Sequence, residues 1–268
     1  MRQKLGQHFL KNKKVAEKIL QALEIKRKDI IIEIGSGHGE LTKPLFELCQ
    51  KNKCQKIIAI EKDTLLAKAL KKKIKAEVIE ADALKALPSL TEKMKNLKFK
   101  IVGNIPYYLT GKLLRIIAEL KNKPSLIIFT LQKEVGLRIC AQPPKMNLLA
   151  AAVQYWANPK IIGFISKKNF QPKPKVNSVI IKLLPINKNK KMVKPEKYYK
   201  LIKILFKQPR KTILNNLINK KGAPKNLKLK IIKKLEKLNI KPNQRAQELT
   251  VFQLITLSQM LYNEYNKV

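Results

Sequence analysis

Between Asp29 and Leu184, short runs rich in Ile and Val alternate with longer stretches in which apolar residues recur every three or four positions. That alternation predicts βαβ units, hence a mostly parallel sheet covered by helices on both faces. The predicted strands are DIIIEI (29–34), KIIAIE (56–61), AEVIE (76–80), FKIVG (99–103) and SLIIFT (125–130), with five helices filling the gaps. Two further runs, KIIGFIS (160–166) and VNSVIIKL (176–183), are separated only by a loop and predict an antiparallel hairpin at the sheet edge. Past Pro185 and the polar stretch NKNKKMVKP, strand patterns stop and amphipathic helices are predicted at about 196–208, 210–219, 226–238 and 250–264. The chain is therefore expected to form an α/β domain over 1–185 and a smaller helical domain over 186–268, with no internal repeat.

Composition narrows the class. Among the 268 residues, 58 Lys and Arg face 18 Asp and Glu, a formal charge of +40. A field of that sign draws polyanions, so nucleic acid is the expected partner. Lysine makes up 52 of the 58 basic residues, which lets nucleotide bias of the genome explain part of the magnitude but not the sign. Residues 186–245 hold 20 basic residues against Glu196 and Glu236, so the helical end is the basic end. No apolar run approaches the ~18 residues of a membrane span, and MRQKLGQHFLKNKK is basic without a following apolar stretch. A cytoplasmic protein is expected. Cys49, Cys54 and Cys140 include no C-x-x-C pair and His8 and His38 lie far apart, so reduced, packed cysteines and no metal are expected.

The first predicted strand runs into EIGSGHGELT, which puts Gly35, Gly37 and Gly39 between strand and helix. Glycines there permit a sharp turn and close approach to a ligand. A dinucleotide fingerprint would need a third glycine where this chain has Glu40, so the G-x-G-x-G spacing favours a nucleoside ligand such as S-adenosylmethionine over NAD. Glu61 ends the second strand, where a carboxylate can accept from both hydroxyls of a ribose, and Asp82 ends the third, suited to the amino group of the cofactor adenine. Each acid alone reads equally as a helix cap, but parallel topology brings all three features to one sheet edge. Glu33, inside the first strand, is a candidate to orient the methionine ammonium indirectly. The fourth strand delivers VGNIPYY: Asn104 offers an amide oxygen, Pro106 fixes the backbone so that a carbonyl faces outward, and Tyr107 offers a ring for stacking on a base. Two acceptors holding an adenine amino group would expose its lone pair to a methyl donor, so the chemistry is positioning and electrostatics.

These residues resemble the ribosomal RNA small-subunit adenine-N(6),N(6)-dimethyltransferase family. The resemblance runs through LGQHFL, EIGSGHGELT, IAIEKD, EADAL, VGNIPYY, TLQKEVGLRI, NFQPKPKVNS, FKQPRKTILNNL and RAQELTVFQL, in the family's order and over nearly the whole chain. It implies a class I S-adenosylmethionine-dependent methyltransferase (Rossmann-like) sheet with a small all-helical C-terminal domain. It implies dimethylation of two adjacent adenosines in the 3′-terminal hairpin of 16S rRNA by a monomer. The family pattern assigns cofactor contacts to His8, Leu10, Gly35, Gly37, Glu61, Asp82 and Asn104, and an aromatic pair around the flipped adenine to Tyr107 and Phe170. His8 stands where many members have Asn, Ser36 where the loop usually has Pro, Ile105 where Leu is usual and Tyr108 where Asn is usual. N-I-P-Y also occurs in related 23S enzymes of macrolide resistance, so a large-subunit target is the alternative. A non-catalytic RNA-binding assembly or transcription factor is a third, opposed by the intact Glu61, Asp82 and N-I-P-Y.

Overall fold

The computed structural model describes residues 7–95, 97–186, 193–218 and 225–265. By compactness the chain forms two units, Met1–Leu137 with Asn158–Pro185, and Arg138–Ala157 with Ile186–Val268.

The first unit opens with a two-residue strand, β1 (Phe9–Leu10), and helix α1 (Lys13–Ala22). Asn12 caps α1 by accepting from the Lys14 and Val15 amides, and the helix buries Ala16, Ile19 and Leu20. Strands and helices then alternate: β2 (Ile30–Ile34), α2 (Thr42–Lys51), β3 (Lys56–Glu61), α3 (Thr64–Lys73), β4 (Glu77–Glu80), α4 (Ala83–Lys93), β5 (Phe99–Asn104), α5 (Thr110–Glu119) and β6 (Leu126–Gln132). Every residue of β2 is buried, which is why its run IIIEI shows no polar alternation. After α6 (Lys133–Ile139) and α7 (Leu148–Gln154) come β7 (Ala157–Ile165), β8 (Phe170–Gln171) and β9 (Ser178–Pro185).

The seven-stranded sheet has the order β4-β3-β2-β5-β6-β9-β7. Pairings from β4 through β6 are parallel, and β9 joins β6 antiparallel. The chain winds outward from β2 to β4, then crosses to β5 and winds the other way. The crevice between the carboxyl ends of β2 and β5 is thus the switch point, where open α/β sheets bind ligands.

One expectation needs correction. The segment joining β7 to β9 is more than a loop. It makes a 3₁₀ turn at Lys167–Asn169 and then leaves the large sheet as β8, which pairs antiparallel with β1 in the register Phe9↔Gln171, Leu10↔Phe170. Burial drives the excursion: Phe170 and Leu10 are 3% and 4% exposed and belong to the main apolar cluster with Ile19, Ile31, Val102 and Ile180. Cys49 and Cys54 face one another with Cα atoms 5.1 Å apart, because the chain reverses after α2 and the Cys54 amide bonds the Cys49 carbonyl. Cys140 is free.

The second unit contains α7 and four later helices, α8 (Pro195–Leu205), α9 (Ile213–Ile218), α10 (Lys225–Glu236) and α11 (Val251–Tyr265). Tyr155 and Tyr198 stack at 4.3 Å between ring centres, and their hydroxyls donate to the carbonyls of Val193 and Ala151. Most of the polar stretch NKNKKMVKP lies outside the described residues, as does the end of the helix expected to close at 219.

Candidate active site

A cavity of about 60 Å³ opens at the switch point. Gly35 and Gly37 form one wall, at φ +73° and +56°. A side chain at Gly37 is excluded twice, by that backbone and by the Phe9 ring, whose Cε1 lies 2.9 Å from where a Cβ would sit. Glu61, at the tip of β3, is only 5% exposed and accepts from the Gly37 amide at 2.8 Å and the Asp63 amide at 2.9 Å. Two backbone donors therefore fix the carboxylate, and its remaining lone pairs leave capacity for further donors.

Directly beneath lies Glu33, 1% exposed. Loss of hydration is the main cause that pushes its carboxyl up to about 8. Among the described residues its Oε2 and the hydroxyls of Ser36 and Thr42, all buried, make no hydrogen bond of normal geometry, although the Thr42 hydroxyl lies near enough to the Glu33 carboxyl to offset part of the upward push.

The opposite wall comes from the segment after β5. Asn104 donates its amide N–H to the His8 carbonyl at 2.7 Å, which fixes the sense of the amide and leaves its oxygen as an acceptor. The Pro106 carbonyl accepts from the Leu109 amide at 2.9 Å, which opens the turn at Tyr107–Leu109. Tyr107 is half-buried, its hydroxyl 3.0 Å from Ser178 Oγ at the start of β9, and burial raises the phenol above its ordinary value. Phe170 completes the cavity from β8. The His8 ring lies 5.6 Å from the Tyr107 ring, and its Nδ1 is 2.7 Å from the Pro172 carbonyl.

Of the residues expected from sequence, His8, Gly35, Gly37, Glu61, Asn104, Pro106, Tyr107 and Phe170 thus meet around one cavity. Leu10 does not. It is buried beside Phe170 and borders a second, larger cavity of about 530 Å³ against α1 and α2. Asp82 also stands apart: it caps α4 through the Leu84 amide at 3.0 Å, and its other oxygen holds Lys62 Nζ at 2.9 Å. The hydrogen bond from Lys62 keeps the Asp82 carboxyl below its ordinary value. Sequence reasoning missed Phe9, which packs on Gly37 and His38, and Ser178, which anchors Tyr107. Phe9 sits inside LGQHFL and Ser178 closes NFQPKPKVNS, but nothing in either block marks its polarity as functional. Among the described residues no group of His, Cys, Asp and Glu could hold a metal ion, and no helix is long and apolar enough to cross a membrane.

This strand order, with a glycine turn after β2 and an acid at the tip of β3, defines a class I methyltransferase fold carrying a helical C-terminal part. The sequence model described as "Ribosomal RNA adenine dimethylase" matches residues 1–257. Two curated relatives, both named ribosomal RNA small subunit methyltransferase A, are 35% identical: that of Mycoplasma capricolum over 264 residues, covering 96% of each chain, and that of Dehalococcoides mccartyi over 255 residues, covering 93% of this chain and 84% of its own. The crystal structure of a dimethyladenosine transferase from Plasmodium falciparum superposes with a TM-score of 0.77 at 26% identity, covering 97% of this chain and 98% of the other. The chain belongs to the ribosomal RNA adenine dimethylase family, which makes it a methyltransferase with S-adenosylmethionine as the implied methyl donor.

Proposed function

We propose that the protein dimethylates the exocyclic amino groups of two adjacent adenosines in the 3′-terminal hairpin of 16S rRNA, as a cytoplasmic monomer contributing to small-subunit assembly. The observation that carries this reading is the convergence of Glu61, Asn104, Tyr107 and Phe170 on one cavity at the switch point. S-adenosylmethionine supplies an electrophilic methyl group on a sulfonium.

The residues present fit a nucleoside donor. Glu61, pinned by two amides, accepts from the ribose hydroxyls. Gly37 keeps the turn bare, so the backbone can approach the ligand closely. Glu33, in the strand that runs into the glycine turn, orients the methionine ammonium indirectly, through water. As built, the cavity is smaller than the ~300–1,000 Å³ of ligand sites. Admission of a nucleoside requires the lining, to which His8 and Phe9 contribute, to open.

On the substrate side, Asn104 Oδ1 and the Ile105 carbonyl accept the two amino hydrogens of an extruded adenine, while Tyr107 and Phe170 hold its faces. The amino nitrogen attacks as a neutral group, so no residue has to remove a proton before transfer. The basic 186–268 region docks on the RNA backbone and the 1–185 region carries the chemistry. Incubation with labelled S-adenosylmethionine and unmethylated small subunits is expected to label that hairpin, and Asn104→Ala to abolish labelling while RNA binding persists. Label confined to large-subunit RNA would move the target, and no label with cofactor binding intact would remove the assignment.

A further inference from the structure

Two residues that adjoin cavity residues in the chain have no role in the transfer itself. Lys62 follows Glu61 at the tip of β3, and Tyr108 follows Tyr107 after β5, so each stands one step outside a cavity residue. Tyr107 is turned inward and tied to Ser178, whereas Tyr108 is 56% exposed. A large flat ring left in water beside a catalytic pocket has a solvent-facing surface on which another flat group can lie. The Lys62 ammonium is exposed, and it stands on the same carboxyl edge of the sheet as Tyr108, at the tip of β3 where Tyr108 follows the tip of β5, with only β2 between the two strands. Its pairing with Asp82 is an exposed one, and such pairs are weak and readily exchanged.

We propose that Tyr108 and Lys62 form a subsite for the nucleotide adjoining the extruded adenine, with the base stacked on the Tyr108 ring and its phosphate met by Lys62. The inference rests on the functional reading above. Single-stranded RNA is held in this way, by aromatic rings under bases and cations on phosphates. Protein partners fit less well, because one exposed ring beside a lysine in a chain of net charge +40 matches a polyanion carrying flat bases. In a target with two adjacent adenines, the parked base is the other adenine, kept within reach for the next round.

The test uses the full chain and a 16S 3′-hairpin RNA carrying 2-aminopurine beside the target adenine. Wild type is expected to quench the probe by stacking. Tyr108→Ala should relieve the quench and weaken RNA binding by about 5- to 150-fold, the range of one base-aromatic stack. Tyr108→Phe should restore both, and calorimetric affinity for S-adenosylmethionine should match wild type in each Tyr108 variant. Lys62→Gln should weaken RNA binding. If wild type methylates the unlabelled hairpin but Tyr108→Ala keeps full quench and affinity, the subsite is overturned alone. If wild type does not methylate it, the functional reading falls and the subsite with it.

Discussion

At the scale of single residues, the site depends on polar groups whose surroundings are incomplete without ligands. Glu33 is the sharpest case, a carboxyl in the middle of an otherwise apolar strand with its ionisation pushed up to about 8 by burial. Its contribution to stability has a definite sign. Below the unfolded value of 4.5 both states hold the proton and the full stability is present; as pH rises, the unfolded chain ionises while the folded one resists, so stability falls until about 8 and then levels. Glu33→Gln removes this slope. In denaturant titrations at pH 5 and pH 8, the wild type is expected to lose on the order of a few kcal/mol relative to the variant between the two pH values. Parallel titration curves would show that Glu33 ionises normally. Phe170 separates packing from function in another way. Being 3% exposed in the main core, it should lose about 3–5 kcal/mol as Phe170→Ala, whereas Phe170→Leu should fold yet transfer methyl poorly for want of a ring. Thermal melts together with single-turnover rates check both outcomes.

At the scale of elements, the strand tips were legible in the sequence and the pieces that close over them were not. β2, β3 and β5 are buried along nearly their whole length, so their sequences are mostly apolar; β2 and β3 end at Ile34 and Glu61 as the pattern requires, and β5 runs one residue past the expected end, to Asn104. That alone places the glycine turn, one acid and the N-I-P-Y segment together. β1 and β8 have two residues each, too few to show any period, and they find one another across the whole unit through Leu10 and Phe170. Family resemblance, not periodicity, put both near the ligand. Asp82 shows a further limit: a carboxylate at a strand end satisfies a helix cap as well as a ligand, and here it caps α4 while holding Lys62. The β1 strap is itself tied down by Asn12, which caps α1 and donates to Asn169 Oδ1 at 2.8 Å, next to the bond from the Lys11 amide to the Asn169 carbonyl. Asn12→Ala should cost about 1–2 kcal/mol through removal of the cap and the side-chain bond. Hydrogen exchange at the Lys11 amide should accelerate by more than global unfolding accounts for, because the strap opens locally. Unchanged protection at Lys11 would mean that β1 is held by Leu10 burial alone.

At the scale of the whole molecule the question is what the charge does. Periodicity marked 186–268 as helical, but packing also draws in Arg138–Ala157, whose α7 buries Ala150, Ala151 and Val153 within that unit; a seven-residue helix between strands carries no sign of which unit it joins. The lysine excess could be genomic bias spread evenly over solvated faces, or a docking surface, and salt dependence tells the two apart. Each phosphate neutralised by a protein cation releases counterions and contributes about 0.7–0.9 to the slope of log affinity against log salt. Exposed Lys228 and Lys230 stand on α10 in the most basic stretch of the chain. If this face docks on RNA, Lys228→Gln with Lys230→Gln should weaken binding to every sequence alike and lower that slope by about 0.7–0.9 for each phosphate no longer neutralised. S-adenosylmethionine affinity should stay put, since the pocket proposed for it lies at the sheet switch point in the other unit. Fluorescence titrations of a 16S 3′ hairpin between low and physiological salt measure it directly. A slope identical to wild type would return α10 to the class of merely solvated helices and leave RNA capture to the lysines of the α/β unit.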